Sequence, residues 1–455
     1  MAVQPTSTTP YGSGITRIAV TGFKSLATKT DVEIRPLTVL AGANSSGKSS
    51  LMQPLLLMKQ TFDNERLPPG PFWLRGEQVG YDTADQFLSS VQSETKTTKR
   101  LTIELEAETN WAELSFEKKL GSDLAVVETA SKSGPDGPVW RLNSDSSLET
   151  LEHLYESVAT RQERIGGMFR GAELVVYPDR CFLAVGTPLS RLATGTGDVV
   201  VSAFHRPEVL LLRNKVQDMI HVSGLRGSDE REFYLHGLPL GSTFPGDFEE
   251  YVPSILEAWK DTTKYGNGLH DLYELSNALQ LLELASGVET RKLNESKIEV
   301  LIPRTLQGDP KDLVNIADVG LAVSQILSVL VALILAHPNQ LVHIEQPELH
   351  LHTRAQWKMA QLLVNASNRG VRLVIETHSS LLLQGILTCV AKGTITPNNV
   401  ALHWFTRNEN GITKVTTADL DAQGRFGDWP ADFDHVELTA SNDYLDAMET
   451  KSIAS

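Results

Sequence analysis

Hydrophobic positions near the N-terminus first alternate with polar ones and then become continuous. The stretches "ITRIAVTGFKSL" and "TDVEIRPL" alternate, which is typical of half-exposed strands. "TVLAG", which ends at Gly42, is almost wholly apolar and predicts a buried strand. The segment that starts at Lys48 predicts a helix with an apolar inner side formed by Leu51, Leu55, Leu56 and Met58.

The middle of the chain has a less regular pattern. Residues 61–98 are rich in Gly, Pro and acids, which indicates a loop-like region. Between 100 and 205, short alternating runs broken by Gly, Ser and Asp predict strands, with one polar helix near 148–163. The pattern becomes helical around 250–290, and "KIEVLIP" then predicts a further strand.

The last third predicts helices that alternate with buried strands. A long apolar helix covers 318–337, and "QLVHIEQP" and "VRLVIETH" predict buried strands on either side of a helix, "RAQWKMAQLLVNAS". The apolar run at 322–336 is shorter than the roughly 20 residues that span a bilayer, so we expect a buried helix. No heptad repeat persists, so no long coiled coil is expected. After 410 the chain becomes acidic, with scattered aromatic residues.

Composition restricts the class of protein. A content of 41% hydrophobic and 21% charged residues in a chain of 455 is typical of a globular protein with an ample core. The net charge of −15 argues against a protein that coats nucleic acid. Cys181 and Cys389, the two cysteines, exclude a disulfide framework and a CxxC metal site. The N-terminus lacks the pattern of a secretory signal, and we expect a cytoplasmic protein with no membrane partner.

The segment "GANSSGKS", from Gly42 to Ser49, matches the phosphate-binding pattern G-x-x-x-x-G-K-[ST] between a predicted strand and a predicted helix. Its glycines permit positive φ, so that backbone N–H groups can point towards a phosphate. Lys48 is expected to reach the β- and γ-phosphates, and the Ser49 hydroxyl to bind Mg²⁺. The expected nucleotide-binding residues are Gly42, Asn44, Ser45, Ser46, Gly47, Lys48, Ser49 and Ser50.

Two later strands end in residues that suit a nucleotide site. Glu345 ends the strand "LVHIE", and a carboxylate at the tip of a buried strand is suited to lie beside Mg²⁺. His378 follows the strand "LVIET", where it could sense the γ-phosphate. Before both strands, a Gly/Ser turn that contains Gly320 and Ser324 leads into the long apolar helix.

The order of these motifs resembles the ABC-type ATPase heads of the RecF, SMC and OLD proteins. Within this group the chain looks most like the "IEEPE-x-HLHP" ATPases of bacterial anti-phage systems, such as PARIS-like and Septu-like systems. The resemblance implies ATP and Mg²⁺ as ligands, and two heads that face each other head-to-tail. Gly320 and Ser324 would then contact the partner's nucleotide, while Glu345 and Ser49 would hold Mg²⁺ and His378 would be the switch histidine.

Gln346 departs from this resemblance, because it occupies the position of the catalytic glutamate. An amide can orient water but cannot accept its proton. Three hypotheses remain open: Gln346 positions water for slow hydrolysis, Glu348 or His350 supplies the base, or the site binds ATP as a clamp with almost no hydrolysis. The signature turn "DVGLAVSQ" also differs from Leu-Ser-Gly-Gly, and Thr353 replaces the proline after "HLH".

Two weaker groupings have plainer interpretations. His350 and His352 alternate along an extended segment, so we favour a role at a subunit contact over a transition-metal site. Several aspartates after 418 could hold nuclease metals, but a solvated tail is favoured. Gln53 and Gln86 are both candidates for the glutamine that links the Mg²⁺ site to the insertion.

We therefore predict an α/β P-loop ATPase head formed by both chain ends, with a mixed α+β insertion. The predicted regions are a disordered tail (1–14), two head halves (15–98 and 311–410), an insertion for partner binding (99–310) and an acidic tail (411–455). The predicted function is an oligomeric, slowly hydrolysing ATPase that holds a separate nuclease or toxin as effector in anti-phage defence. The alternatives are a RecF-like ATPase that clamps DNA and an OLD-type nuclease. The negative charge disfavours the first alternative, and the lack of a toprim motif disfavours the second.

Overall fold

The structure is a computed structural model that describes residues 14–64, 70–90, 99–118, 124–159, 174–188, 200–226, 230–239, 243–261, 268–305 and 312–426. The predicted tail at 1–14, except Gly14, and the acidic tail beyond 426 lie outside these residues. In chain order the strands are β1 (Ile15–Thr21), β2 (Thr30–Glu33), β3 (Leu37–Gly42), β4 (Arg100–Ala107), β5 (Asn110–Lys118), β6 (Leu124–Ser133), β7 (Trp140–Asn143), β8 (Val175–Asp179), β9 (Phe182–Pro188), β10 (Val200–Phe204), β11 (Ile220–Val222), β12 (Phe233–Tyr234), β13 (Glu289–Lys292), β14 (Lys297–Pro303), β15 (Leu313–Asn315), β16 (Leu341–Glu345), β17 (Arg372–Thr377), β18 (Val400–Arg407) and β19 (Thr413–Ala418).

The helices include the long ones predicted from the apolar pattern. They are α1 (Lys48–Asp63), α2 (Leu148–Ala159), α3 (Pro207–Gln217), α4 (Val252–Trp259), α5 (Gly268–Leu281), α6 (Leu321–Leu335), α7 (Thr353–Asn368) and α8 (Ser380–Ala391). In the described part of the chain the longest helices have 16 residues, which agrees with the expected lack of a coiled-coil arm. None of the helices that the structure describes has the length and apolar character needed to cross a membrane.

A six-stranded sheet, which we call the core sheet, joins the two ends of the chain. Its order is β11-β16-β17-β3-β18-β19, and all neighbours are parallel except the β18–β19 pair. Because parallel strands end at the same edge, the last residues of β3, β16 and β17 lie together. The predicted α/β head built from both chain ends is confirmed.

The two faces of the core sheet are covered by different layers. One face packs on α4 to α8 through a large apolar cluster that includes Val39, Ile344 and Ile375. The other face contributes Leu40 and Val374 to a second cluster, which α1 shares with the antiparallel sheet β2-β1-β4-β5-β6-β7. Since α1 lies between two sheets, nearly all of its residues are buried, and the loop that precedes it leads directly into this buried helix.

The predicted insertion and tail are more closely joined to the head than their boundaries at 99, 310 and 410 suggest. β4 to β7 extend the sheet that begins with β1, and β11 forms an edge of the core sheet. At the opposite edge β19 pairs with β18 over six residues beyond position 410. Smaller sheets, β10-β9-β8 and β12-β14-β13 with β15 on β14, complete the described architecture.

Candidate nucleotide-binding site

The loop between β3 and α1 has the geometry that its glycines predict. Gly42 and Gly47 have φ values of 140° and 107°, and Ser45 is also left-handed with φ of 60°. A Cβ on Gly47 would lie 2.3 Å from the Thr413 Oγ1 atom. The loop therefore needs glycine at position 47 for both conformation and space. Of the predicted phosphate contacts, Asn44 and Ser45 are exposed, whereas Ser46 and Ser50 are buried.

Thr413, at the start of β19, fastens this loop from the other end of the chain. Its hydroxyl lies 2.7 Å from the carbonyl oxygen of Ser46 and 2.8 Å from the Ser25 hydroxyl. Its backbone N–H donates to the Ser25 carbonyl at 2.9 Å. Thr413 is not among the predicted site residues, because it lies just beyond the predicted start of the tail at 411.

Lys48 lies within the loop that it is predicted to serve. Its Nζ donates to the carbonyl oxygens of Gly42 at 3.0 Å and Ala43 at 2.9 Å, and the residue is only 5% exposed. Burial lowers the pKa of Lys48, while the charges of Glu376 and Glu348 act in the opposite direction. The ammonium group is thus held among loop carbonyls beside two carboxylates.

Ser49 contacts an acid, Glu376, that is not among the predicted site residues. Its hydroxyl donates to Glu376 Oε2 at 2.6 Å, and the other carboxylate oxygen of Glu376 lies 3.0 Å from His343 Nε2. Glu376 and His343 are almost fully buried. The acid directly before "THS", at the end of a buried strand, was the available signal for this residue.

Glu345, the acid predicted to bind magnesium, is hydrogen-bonded to β11 and to the loop that follows β11. Glu345 Oε1 lies 3.2 Å from His221 Nε2, and Oε2 accepts from the Gly224 N–H at 3.2 Å. The rings of His221 and His343 stack with centroids 5.0 Å apart. Burial opposes ionisation of Glu345, but the hydrogen bond from His221 and the charges of His343 and His221 outweigh it and lower the pKa of Glu345.

Gln346 sits in a constrained turn directly after β16. It is left-handed with φ of 45°, and its N–H donates to the Glu376 carbonyl at 2.7 Å. Arg226 donates to the carbonyls of Glu345 at 2.6 Å and Gln346 at 2.8 Å, and also to Gln325 on α6 at 2.9 Å. Burial lowers the pKa of Arg226 to about 10, so its charge persists at neutral pH. Arg226 therefore fixes the turn and links it to α6.

Glu348 and His378 meet at the end of β17. Glu348 is buried, and its Oε1 accepts from the Thr377 hydroxyl at 2.6 Å and from the His378 N–H at 3.1 Å. Burial raises the pKa of Glu348. The exposed His378 lies near the phosphate loop, where partial burial and the charge of Lys48 lower its pKa. Glu348 and His378 are thus both close enough to Lys48 for their charges to interact. The hydrogen bonds of Glu348 hold the end of β17.

Gly320 and Ser324 lie at the N-terminal end of α6. Gly320 is the exposed N-cap of α6, and the Ser324 hydroxyl donates to the Leu321 carbonyl at 3.1 Å. No described hydrogen bond joins either residue to the phosphate loop. Among the other candidates, His352 caps α7 and Gln86 caps a short turn at 84–86, whereas Gln53 accepts from Lys24 and Tyr81.

The residues around Ser49 fit a magnesium ion. Mg²⁺ prefers oxygen ligands, one or two of them carboxylates, and Ser49 and Glu376 already place oxygens side by side, with Glu345 on the neighbouring strand. His221, His343 and Glu345 also place one ligand atom each within 4.8 Å of one another. Both imidazoles, however, are engaged by carboxylates. The oxygen atoms next to the loop are therefore the better match.

Two domain families match separate segments of the chain. One is described as "AAA ATPase domain" and covers residues 14–152, and the other is described as "AAA domain, putative AbiEii toxin, Type IV TA system" and covers residues 246–384. One segment in each half of the chain is therefore similar to an AAA-type ATPase domain. The first segment includes the phosphate loop and the second includes Glu345, Gln346 and His378. No curated protein matches the sequence.

Several solved structures resemble the chain at low identity. An SMC head bound to the C-winged helix domain of ScpA has 12% identity and a TM-score of 0.45, with 90% of this chain and 98% of that chain covered. The SMC head domain from Thermotoga maritima has 10% identity and a TM-score of 0.36, with 89% and 98% covered. A third structure is an Smc head domain with an extended coiled coil, bound to the C-terminal domain of ScpA and derived from Pyrococcus furiosus. It has 12% identity and a TM-score of 0.41, with 90% of this chain and 97% of that chain covered. Likenesses at this level carry no functional information.

A pH-dependent stability is expected from Asp247, which lines a cleft with Ser223 and Arg226. Burial and the charges of Glu249 and Glu77 raise the pKa of Asp247 from 3.8 to about 6. The folded state therefore binds this proton more tightly than the unfolded state, and stability falls as pH rises from about 4 to 6. Asp247→Asn should raise the melting temperature by roughly a few degrees at pH 8 and change it little at pH 4, as measured by calorimetry.

The matched control for this prediction is Asp318→Asn. Asp318 is paired with Arg231, and this pair lowers its pKa, so its removal should not stabilise the protein at pH 8. An equal rise in melting temperature for both variants would contradict the assignment to Asp247.

Proposed function

We propose that this chain is an ATP-dependent switch that binds Mg²⁺·ATP and hydrolyses it slowly. One observation carries the proposal. The glycine-rich loop with Lys48 and Ser49 lies at the same edge of the core sheet as Glu376 and Glu345. The turn directly after Glu345 carries the side-chain amide of Gln346. Domain matches to AAA-type ATPases in both halves of the chain support it.

Each group in the site has a role that follows from its chemistry. The N–H groups of the loop and of the first turn of α1 bind phosphate oxygens, and Lys48 offsets their charge. Ser49 and the nearby acids would hold magnesium, which neutralises phosphate charge when bound. Gln346 orients the attacking water without accepting its proton, so turnover is slow. His378 contacts the terminal phosphate.

The surface around Ser324 suits a second copy of this chain. Leu225 is 92% exposed and Leu321 is 53% exposed, and Leu225 and Ser324 line the same cleft of about 320 Å³. Apolar side chains in such positions are expected where a partner covers them. In a head-to-tail dimer, Gly320 and Ser324 of each copy would complete the nucleotide site of the other.

The switch is proposed to serve bacterial anti-phage defence by holding a separate effector, a nuclease or toxin, and releasing it on a signal. The description of the second domain family as a putative toxin of a toxin–antitoxin system supports this setting. The net charge of −15 disfavours the alternative of a DNA clamp.

Native mass spectrometry of the full chain with and without ATP, alone and co-expressed with the product of the neighbouring gene, tests this function. We expect ATP to convert monomers into dimers or higher oligomers, and the neighbour to bind in an ATP-dependent manner. Leu321→Glu should abolish assembly. Leu269→Glu, which changes another exposed leucine in the first turn of a helix, should not. A chain that remains monomeric with ATP and ignores the neighbour would overturn the proposal.

A further inference from the structure

Two carboxylates lie next to each other at the ends of adjacent strands, and one of them contacts the phosphate loop. Glu345 and Glu376 are direct register partners at the ends of β16 and β17. On a parallel pair such residues share one face of the sheet. Glu376 is only 3% exposed, and its closest polar contact is the Ser49 hydroxyl at 2.6 Å. The hydroxyl predicted to bind magnesium is thus paired with Glu376, and no hydrogen bond between the described atoms joins it to Glu345.

Each of these carboxylates is hydrogen-bonded to one imidazole. His343 Nε2 lies 3.0 Å from Glu376 Oε1, and His221 Nε2 lies 3.2 Å from Glu345 Oε1. The two rings are themselves register partners on β11 and β16 and stack nearly parallel, with an angle of 14° between their planes. The result is a pair of acids whose orientation is set by a matched pair of histidines.

A buried carboxylate is costly unless something compensates its charge. Lys48 is close enough to influence Glu376 electrostatically, but its Nζ donates to the carbonyls of Gly42 and Ala43. In the described part of the structure, the Glu376 carboxylate is hydrogen-bonded to the Ser49 hydroxyl and the His343 imidazole. Such an arrangement leaves the site short of positive charge, and a divalent cation supplies it.

We propose that Glu376 is a second acid of the magnesium site, acting together with Glu345 and the Ser49 hydroxyl. His221 and His343 are positioning residues that orient the two acids and do not contact the cation. This inference rests on the proposed function, because it assumes that the loop binds Mg²⁺·ATP. The donors are all oxygens, which selects a hard divalent cation over a transition metal.

A site with two acids makes nucleotide binding strongly dependent on magnesium. Without the cation, both carboxylates repel a triphosphate, and with it they hold the cation in place. Glu376→Gln removes one charge but keeps an oxygen that can accept the Ser49 hydrogen bond. We expect the Mg²⁺ concentration that gives half-maximal nucleotide binding to rise at least about tenfold. Binding in excess EDTA should stay the same or become tighter.

The experiment is a fluorescence titration of the full chain with mant-ATP, in which Mg²⁺ is added stepwise to an EDTA-containing sample. Glu208→Gln is the matched control, because Glu208 is also 3% exposed and accepts a serine hydroxyl, from Ser131 at 3.0 Å. The control should retain the wild-type dependence on Mg²⁺. His343→Gln should shift the half-maximal concentration in the same direction as Glu376→Gln, but less.

The outcomes separate this inference from the function on which it rests. If Glu376→Gln binds mant-ATP with the Mg²⁺ dependence of the wild type, the second acid is refuted while the ATPase proposal stands. If the wild type binds no mant-ATP at any Mg²⁺ concentration, the proposed function itself fails. If Glu376→Gln is insoluble, Glu376→Asp replaces it, because the shorter side chain keeps the charge but moves it away from the Ser49 hydroxyl. This variant must show the same rise in the Mg²⁺ concentration for half-maximal nucleotide binding.

Discussion

Replacing Gly47 by alanine should severely weaken nucleotide binding. Gly47 has φ of 107°, and an added Cβ would lie 2.3 Å from Thr413 Oγ1 and 2.9 Å from Ser25 Oγ. The Thr413 hydroxyl contacts both the Ser46 carbonyl and the Ser25 hydroxyl, so it cannot move away without releasing the loop. We expect the Kd for mant-ATP in the presence of Mg²⁺ to rise about 100-fold or more, equivalent to about 2.7 kcal/mol, by fluorescence titration.

Gly393→Ala separates the steric effect from backbone strain. Gly393 also has a positive φ, 72°, but beyond its chain neighbours no described atom lies within 4 Å of a Cβ placed there. Its substitution should cost about 1 to 2 kcal/mol of folding stability and leave nucleotide affinity unchanged. Equal losses of affinity in the two variants would mean that the packing of Thr413 against the loop is irrelevant to binding.

The second large effect is expected from Gln346→Glu. A general base typically contributes a factor of 10² to 10⁴, which an amide cannot provide. We therefore expect the steady-state kcat for ATP to rise about 100-fold in this variant. The backbone of the turn should be unchanged, because Arg226 and the Glu376 carbonyl hold it through main-chain atoms. A coupled phosphate-release assay measures the rate.

Glu348→Gln is the companion variant for this test. If Gln346 positions the water, Glu348→Gln should lower kcat far less than Gln346→Glu raises it. An unchanged rate in Gln346→Glu, combined with a large loss in Glu348→Gln, would show that Glu348 already serves as the base. No detectable turnover in any variant, together with tight binding, would favour the clamp.

Features encoded by contiguous residues were predictable. The phosphate loop, the strands before Gln346 and His378, and the helix between them all follow from local pattern and spacing, and the structure has them. Their assembly into one α/β sheet was inferred from the resemblance to known ATPase heads. The roles assigned to Gln346, Glu348 and His378 remain predictions, since chemistry depends on a bound nucleotide.

Contacts between residues far apart in the chain could not be predicted from the pattern of hydrophobic and polar residues. Ser49 and Glu376 are 327 positions apart, and Thr413 is 367 positions from Ser46. His221 lies on β11, whose three residues are too few to show a period and fall within the predicted insertion. Likewise, the alternation in "TKVTTA" is carried mainly by threonines, so hydropathy did not indicate that β19 belongs to the core sheet.

Arg226 also bears on how freely this turn can vary in sequence. Arg226 donates four hydrogen bonds to main-chain carbonyls, which belong to Ser223, Gln325, Glu345 and Gln346. Main-chain acceptors are the same whatever side chain a residue carries. The hydrogen bonds that hold the turn are therefore independent of the side chain at position 346, and Gln and Glu could replace each other there in evolution without a change in these bonds.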